Sequence, residues 1–383
     1  MTGGPLTVLT GVNRPSAPTS GGMVLVGDLY RAMPATRTVF LGRTPAAQQW
    51  VAAFDQLITL STVKCPLGRA YDAYVEELTD EVRALIEEVR PDAIHAQYPG
   101  LALSLALTRA AVRIPVVSIA HGPDVIAAER SADERARLEE VAAASAAIVA
   151  PTPALADRLD RLTRHRFTDR LTVIPWGIPL ERARARDRPP HRSGPLSLVH
   201  AGRLDDNKST VTVIEALALA GQRHRLTVIG EGSLRGDLER RARALGLRDR
   251  VVFEPFLPRG ELWSRLPGFD AFVFTTKGIE AFGLVLIEAQ AHALPVAYSD
   301  LPGVRETLGG AGLPYVPGDP HSLARALDEL GQDTGLRAAL AEAAVKNARR
   351  YDIATTGRRL QELTLRLTPL NPEAATAAPI MIR

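Results

Sequence analysis

Apolar runs of strand length alternate with longer stretches of helical period along the whole chain. In that order they predict right-handed βαβ units that build parallel sheets. The first half carries "LTVLT" (6–10), "TVFLG" (38–42), "AIHAQ" (93–97), "PVVSIAHG" (115–122), "AAIVAPT" (146–152) and "LTVIPWG" (171–177). The second carries "LSLVHAG" (196–202), "RLTVIGEG" (225–232), "VVFEPF" (251–256), "AFVFTT" (271–276), "LPVAYSD" (294–300) and "LPYVPGD" (313–319). Two similar sets of six are separated by "PLERARARDRPPHRSGPLS", which has no apolar periodicity and the Arg and Pro content of an exposed linker. The expected division is therefore a doubly wound domain over 1–182, a linker over 183–194 and a second doubly wound domain over 195–350. A helix over 351–370 is expected to return to the first domain, and 371–383 reads as a tail.

A length of 383 residues supports this division, since one core serves roughly 100–200 residues. With 46% hydrophobic and 23% charged residues and no apolar run of membrane-spanning length, the class is soluble and globular. The start "MTGGPLTVLTG" shows no secretory leader and Cys65 has no partner, so a cytoplasmic location is expected. A net charge of +3 gives no reason to expect nucleic acid. The basic runs "DRLDRLTRHRFTDR" and "ERARARDRPPHR" suit a solvated helix face and a linker, with contact to phosphates or an anionic membrane as the alternative.

Two doubly wound domains facing each other put the carboxyl ends of both sheets on one central cleft, where ligands bind in open α/β sheets. The chemistry-bearing residues do follow strands. Arg203 and Lys208 come after "LSLVHAG"; two fixed cations there suit a diphosphate, although such a pair is also common on surfaces. After "AFVFTT", a helix expected to start near Phe282 would offer the amides of Phe282, Gly283 and Leu284 to an anion. Glu280 precedes that helix and Glu288 lies within it, at most roughly 12 Å further along. One carboxylate would then meet sugar hydroxyls and the other ribose hydroxyls; alternatively Glu280 answers the helix dipole and Glu288 is an ordinary helix residue. Glu288 sits among Leu286, Ile287, Ala289 and Ala291, company in which a carboxylate needs a partner. His121 ends a strand and is either a cleft residue or structural. Asp124 joins it as a polar contact or caps the helix read from "VIAAERSADERARLEE".

"EAFGLVLIEAQAHALPV" resembles the Glu-x7-Glu motif of retaining glycosyltransferase family 4. "HAGRLDDNKS", "VIGEGSLRGDLERRA" and "LPGVRETLGGAGLPYVPGD" are similar to further segments of that family, as are "SAPTSGGMVLVGDLYRAM", "SIAHGPD" and "LTVIPWGIPLER" in the first half. The resemblance implies the GT-B fold, two Rossmann-like domains with acceptor specificity in the first and the nucleotide-sugar donor held mainly by the second. Carried over, Arg203 and Lys208 contact the diphosphate, Glu280 the sugar, Glu288 the ribose and His121 the sugar from the first domain. Gly21 and Gly22 admit phosphate and acceptor, and Phe256 with Leu257 flank the base. Trp176, Pro255 and Ala293 depart from the family pattern.

The implied activity moves a hexose or aminohexose from a donor, expected to be a UDP-sugar, to a hydroxyl of a small acceptor, with retention. No cofactor is expected, and no metal: the sequence has no Asp-x-Asp and no His/Cys cluster of ligand spacing. The glycines at 230, 232 and 236 are one residue too wide for a dinucleotide fingerprint, which argues against NAD. A nucleotide-sugar epimerase, a sugar phosphorylase or a non-catalytic nucleotide-sugar-binding protein are the competing expectations.

Overall fold

The computed structural model describes residues 5–12, 21–42, 52–63, 70–183 and 193–368. The Arg- and Pro-rich stretch from 184 to 192, most of the first Gly-Gly loop, Cys65 and the tail lie outside them. The chain forms two compact units, Met1–Gly177 with Ile353–Arg383, and Ile178–Asp352. The break falls between Gly177 and Ile178, ahead of the Arg- and Pro-rich stretch.

The first unit holds a seven-stranded parallel sheet in the order β3-β2-β1-β4-β5-β6-β7. Its strands are β1 (Leu6–Gly11), β2 (Thr36–Gly42), β3 (Gln56–Thr59), β4 (Ala93–Gln97), β5 (Val116–Ile119), β6 (Ala147–Ala150) and β7 (Leu171–Val173). The sequence pattern misses β3, a short edge strand whose residues are only partly buried. β4, β5 and β6 are buried at every position because helices cover both faces; β6 is a continuous apolar run, while β4 carries buried His95 and Gln97 and β5 buried Ser118. The single helix expected after His121 is two helices, Pro123–Arg130 and Ala132–Ala144. Ser131 breaks them: its backbone turns extended, and its hydroxyl caps the second helix at Glu134 N.

The second unit repeats the design with six parallel strands in the order β10-β9-β8-β11-β12-β13. These are β8 (Ser197–Ala201), β9 (Arg225–Ile229), β10 (Val251–Glu254), β11 (Ala271–Phe274), β12 (Val296–Ser299) and β13 (Leu313–Tyr315). Strand order reverses between β1 and β4 in one sheet and between β8 and β11 in the other. Such switch points leave an opening at the strands' carboxyl ends, where ligands are received.

The C-terminal helix Ile353–Leu367 belongs to the first unit although it follows the second in sequence. A Cβ on Gly357 would lie 2.6 Å from the carbonyl oxygen of Ala32, so this helix approaches the end of helix Gly21–Arg31 closely. Among the described residues no helix is long and apolar enough to cross a membrane.

Candidate donor site

In the second unit the loops after β8 and β11 are tied together. Thr275 donates its hydroxyl to Lys208 O (2.7 Å), Thr276 to Asn207 O (3.0 Å), and the Lys277 amide donates to Asn207 O (3.1 Å). These bonds bring together two of the predicted residues: Lys208 Nζ lies 2.5 Å from Glu280 Oε2, with both side chains largely buried. An ammonium and a carboxylate withdrawn from water at the switch point supply one donor and one acceptor to anything that enters. Arg203 stands at the rim, 67% exposed, its guanidinium 3.1 Å from Asp205. Asp205 also accepts from the Lys208 amide (3.1 Å), so one carboxylate holds the loop and its outer cation.

Behind that loop lies the Gly-Glu-Gly segment. A Cβ on Gly230 would stand 1.9 Å from Gly202 O, and one on Gly232 2.2 Å from Leu204 O. The backbones of Gly202–Leu204 and 230–232 therefore touch, tied by the Leu204 amide donating to Glu231 O (2.8 Å). These glycines support the Arg203 loop.

The donor-side helix runs from Leu284 to Ala291, two residues later than expected. Gly283 precedes it at φ 78°, a left-handed conformation that glycine adopts without strain, and this delays the helix. The amides opening the helix are those of Leu284 and Val285; that of Leu286 already donates to Gly283 O at 2.8 Å. Phe282 is not a helical residue: its buried ring meets Tyr351 edge-on at 5.4 Å.

Glu288 is buried inside the helix, and Arg259 Nε donates to its Oε1 at 2.9 Å. The guanidinium lies over Trp263 at 5.4 Å, and Trp263 packs on His292. Arg259 closes the loop after β10, in which Phe256 is 47% exposed and Leu257 half-buried. The expected partner of Glu288 is thus an arginine from the loop that carries the candidate base-flanking residues. Within β8, buried His200 bonds Val273 O (3.0 Å) and Thr210 Oγ1 (3.1 Å), and burial pushes its pKa down to about 4.

In the first unit His121 follows β5 and is buried. Its ring stacks on Tyr98 (3.9 Å between centroids, 18° between planes) and on Trp176 (5.6 Å, 27°). The departure at Trp176 is therefore one wall of a clamp. Gly22, in the helix Gly21–Arg31, lies over the Tyr98 hydroxyl, which a Cβ there would meet at 2.4 Å, while Gly21 is exposed. Asp124 does not reach outward: its carboxylate accepts from the amides of His121 (3.2 Å) and Gly122 (2.7 Å) and holds the turn on which His121 sits. Burial pushes its pKa up to about 6 despite those donors.

Two parallel-sheet Rossmann-like units, each with its candidate residues beyond the carboxyl ends of its strands, define a GT-B-class α/β protein. The family model described as "Glycosyltransferase Family 4" matches residues 38–182, and "Glycosyl transferases group 1" matches 181–347. The chain belongs to the family 4-type glycosyltransferases.

A D-inositol 3-phosphate glycosyltransferase of Xylanimonas cellulosilytica is 34% identical over 56% of this chain and 55% of its own. A 2-deoxystreptamine glucosyltransferase of Streptomyces kanamyceticus is 27% identical over 81% of this chain and 80% of its own. The chain spans about half the length of several curated relatives it matches, 55% and 51% for two inositol phosphate enzymes. Among solved structures, Anabaena HepE in complex with UDP and glucose superposes with a TM-score of 0.76 at 20% identity, covering 94% of this chain and all of that one.

Proposed function

We propose that the chain transfers a hexose or aminohexose from a UDP-sugar to a hydroxyl of a small acceptor, with retention and without a metal. The observation that carries this reading is the partly buried Lys208 and Glu280 pair at the β8/β11 switch point, a cation and an acceptor at 2.5 Å. Lys208 and Arg203, with the helix-opening amides of Leu284 and Val285, neutralise the diphosphate. Displaced from Lys208, Glu280 accepts hydrogen bonds from the sugar hydroxyls. Glu288, held by Arg259, accepts from the ribose, and His121 bonds the sugar from the first unit. HepE bound to UDP-glucose supports a uridine donor.

As the bond from the anomeric carbon to the β-phosphate oxygen breaks, the acceptor oxygen bonds that carbon from the same face. Its proton passes to the departing phosphate. No protein nucleophile takes part; the side chains orient the donor and stabilise charge. Two relatives are named for inositol phosphate and 2-deoxystreptamine, which supports a cyclitol or aminocyclitol acceptor.

The test is turnover of a nucleotide-sugar panel with product NMR: an anomer of the donor's configuration is expected, and an inverted product overturns the mechanism. An epimerised nucleotide sugar formed from donor alone would make the chain an epimerase, and dependence on inorganic phosphate a phosphorylase.

A further inference from the structure

Buried side chains of the first unit form a continuous hydrogen-bond chain from His121 to the C-terminal helix. His121 Nε2 lies 2.7 Å from Gln97 Oε1, and Gln97 Nε2 donates to the Tyr30 hydroxyl at 2.7 Å. The Tyr30 hydroxyl lies 2.9 Å from His95 Nδ1, and His95 Nε2 lies 2.8 Å from Thr364 Oγ1, a residue 269 positions away. Thr364 donates in turn to Leu360 O at 2.8 Å. Four distant segments, with β4 supplying both Gln97 and His95, thus share one file of polar atoms in an apolar core, where each link has to be satisfied.

An amide, a phenol and two imidazoles can form such a file in either direction, and the side branches favour one. Thr10 donates its hydroxyl to His95 O at 2.9 Å, so its oxygen accepts the second amide hydrogen of Gln97 at 3.4 Å. Reversing the file would turn the Gln97 carbonyl toward Tyr30, remove that hydrogen from Thr10 and take the Thr364 hydroxyl off Leu360. The Tyr30 hydroxyl also reaches Thr10 Oγ1 at 3.1 Å, but His95 Nδ1 at 2.9 Å is the nearer acceptor. The direction that satisfies the file runs outward: His121 Nε2–H to Gln97, Gln97 to Tyr30, Tyr30 O–H to His95 Nδ1, and His95 Nε2–H to Thr364. Burial holds the His95 pKa near 3 and raises that of Tyr30, so neither group ionises near neutral pH.

We propose that Gln97, Tyr30, His95 and Thr364 are positioning residues for His121. They hold its imidazole with Nε2–H directed at Gln97, as the Nε2–H tautomer, with its plane fixed by Tyr98 and Trp176, so the C-terminal helix sets the face His121 offers to the donor sugar. The catalytic part of this inference rests on His121 contacting that sugar; the tautomer does not.

The experiment is 15N NMR of the imidazoles in the full chain, assigned by single His→Gln variants, beside steady-state hydrolysis of UDP-glucose. Wild type is expected to show His121 and His95 as Nε2–H; an Nδ1–H signature at His121 overturns the proposal. Tyr30→Phe, which breaks the file, is expected to give His121 a mixed tautomer and to lower kcat roughly tenfold with donor KM kept, the effect of one lost orienting bond. An unmixed His121 signature in that variant overturns the inference. Should Tyr30→Phe not fold, Thr364→Val and Thr364→Ser carry the test: kcat falls in the first and returns in the second, and equal rates in both overturn the coupling. If wild type turns over no nucleotide sugar, the proposed function fails while the NMR still decides the tautomer.

Discussion

At the scale of single residues, Lys208 and Glu280 satisfy each other at 2.5 Å in this structure, so a donor has to exchange their bond for its own. Glu280→Gln keeps the shape but leaves Lys208 facing a neutral amide. A fall in kcat of roughly 10²–10³ is expected, as when one preorganised donor or acceptor is removed from an active site. Lys208→Met should also lose nucleotide affinity, measured by thermal stabilisation with UDP. A wild-type rate in Glu280→Gln would contradict its assignment. Ala293 makes a separate prediction, because it holds φ 58°, where a Cβ is strained. Ala293→Gly should raise stability by about 1 kcal/mol, read as a higher Tm, with kinetics unchanged. Spacing made Glu280 and Glu288 visible as a pair, and apolar neighbours implied a partner for Glu288. The partner itself, Arg259, comes from a loop in another βα unit and no local pattern announces it.

Among the elements, the strands were legible because parallel strands buried on both faces are runs of apolar residues. β3 was not, since a half-buried edge strand lacks that signature. Helix ends depended on backbone conformation: Gly283 delays one helix and Ser131 divides another, and neither effect shows in hydrophobic period. Strand burial also sets a pH dependence. His200 in β8 and His95 in β4 fall from 6.5 to about 4 and about 3 through burial. Unfolded they take up protons below about 6.5, whereas folded they do so only near those lower values. Their contribution is complete above pH 6.5 and drains as pH falls toward 4, by about 3 kcal/mol for His200 alone. Asp124, raised from 3.8 to about 6, acts in the opposite sense and loses its contribution as pH rises through 6. Two histidines against one carboxyl give a net loss on acidification. Tm should fall between pH 6.5 and 4, and less so in His200→Gln.

For the whole molecule, each unit has its own sheet and core, but only the second is continuous in sequence. A fragment over 178–352 is expected to melt cooperatively. One over 1–177, deprived of Thr364 beneath His95 and of Gly357 against Ala32, is expected to show no cooperative transition. Circular dichroism melts of both fragments check this, and a cooperative 1–177 fragment would show the C-terminal helix to be dispensable. The two repeated strand sets made the fold class readable from the sequence. The aromatic clamp on His121 and the polar file behind it were not readable, because they join residues from five segments that share no spacing.

The discontinuity has a temporal consequence on the ribosome. Translation delivers 178–352 whole before residue 353 is made, so the second sheet can close while the first still waits for its last helix. Until Thr364 arrives, His95 and Tyr30 lack the end of their file, and the earliest-made half of the protein is the last to reach its final polar core. A chain released after residue 352 would carry a complete second unit and an incomplete first one, the half most in need of a chaperone.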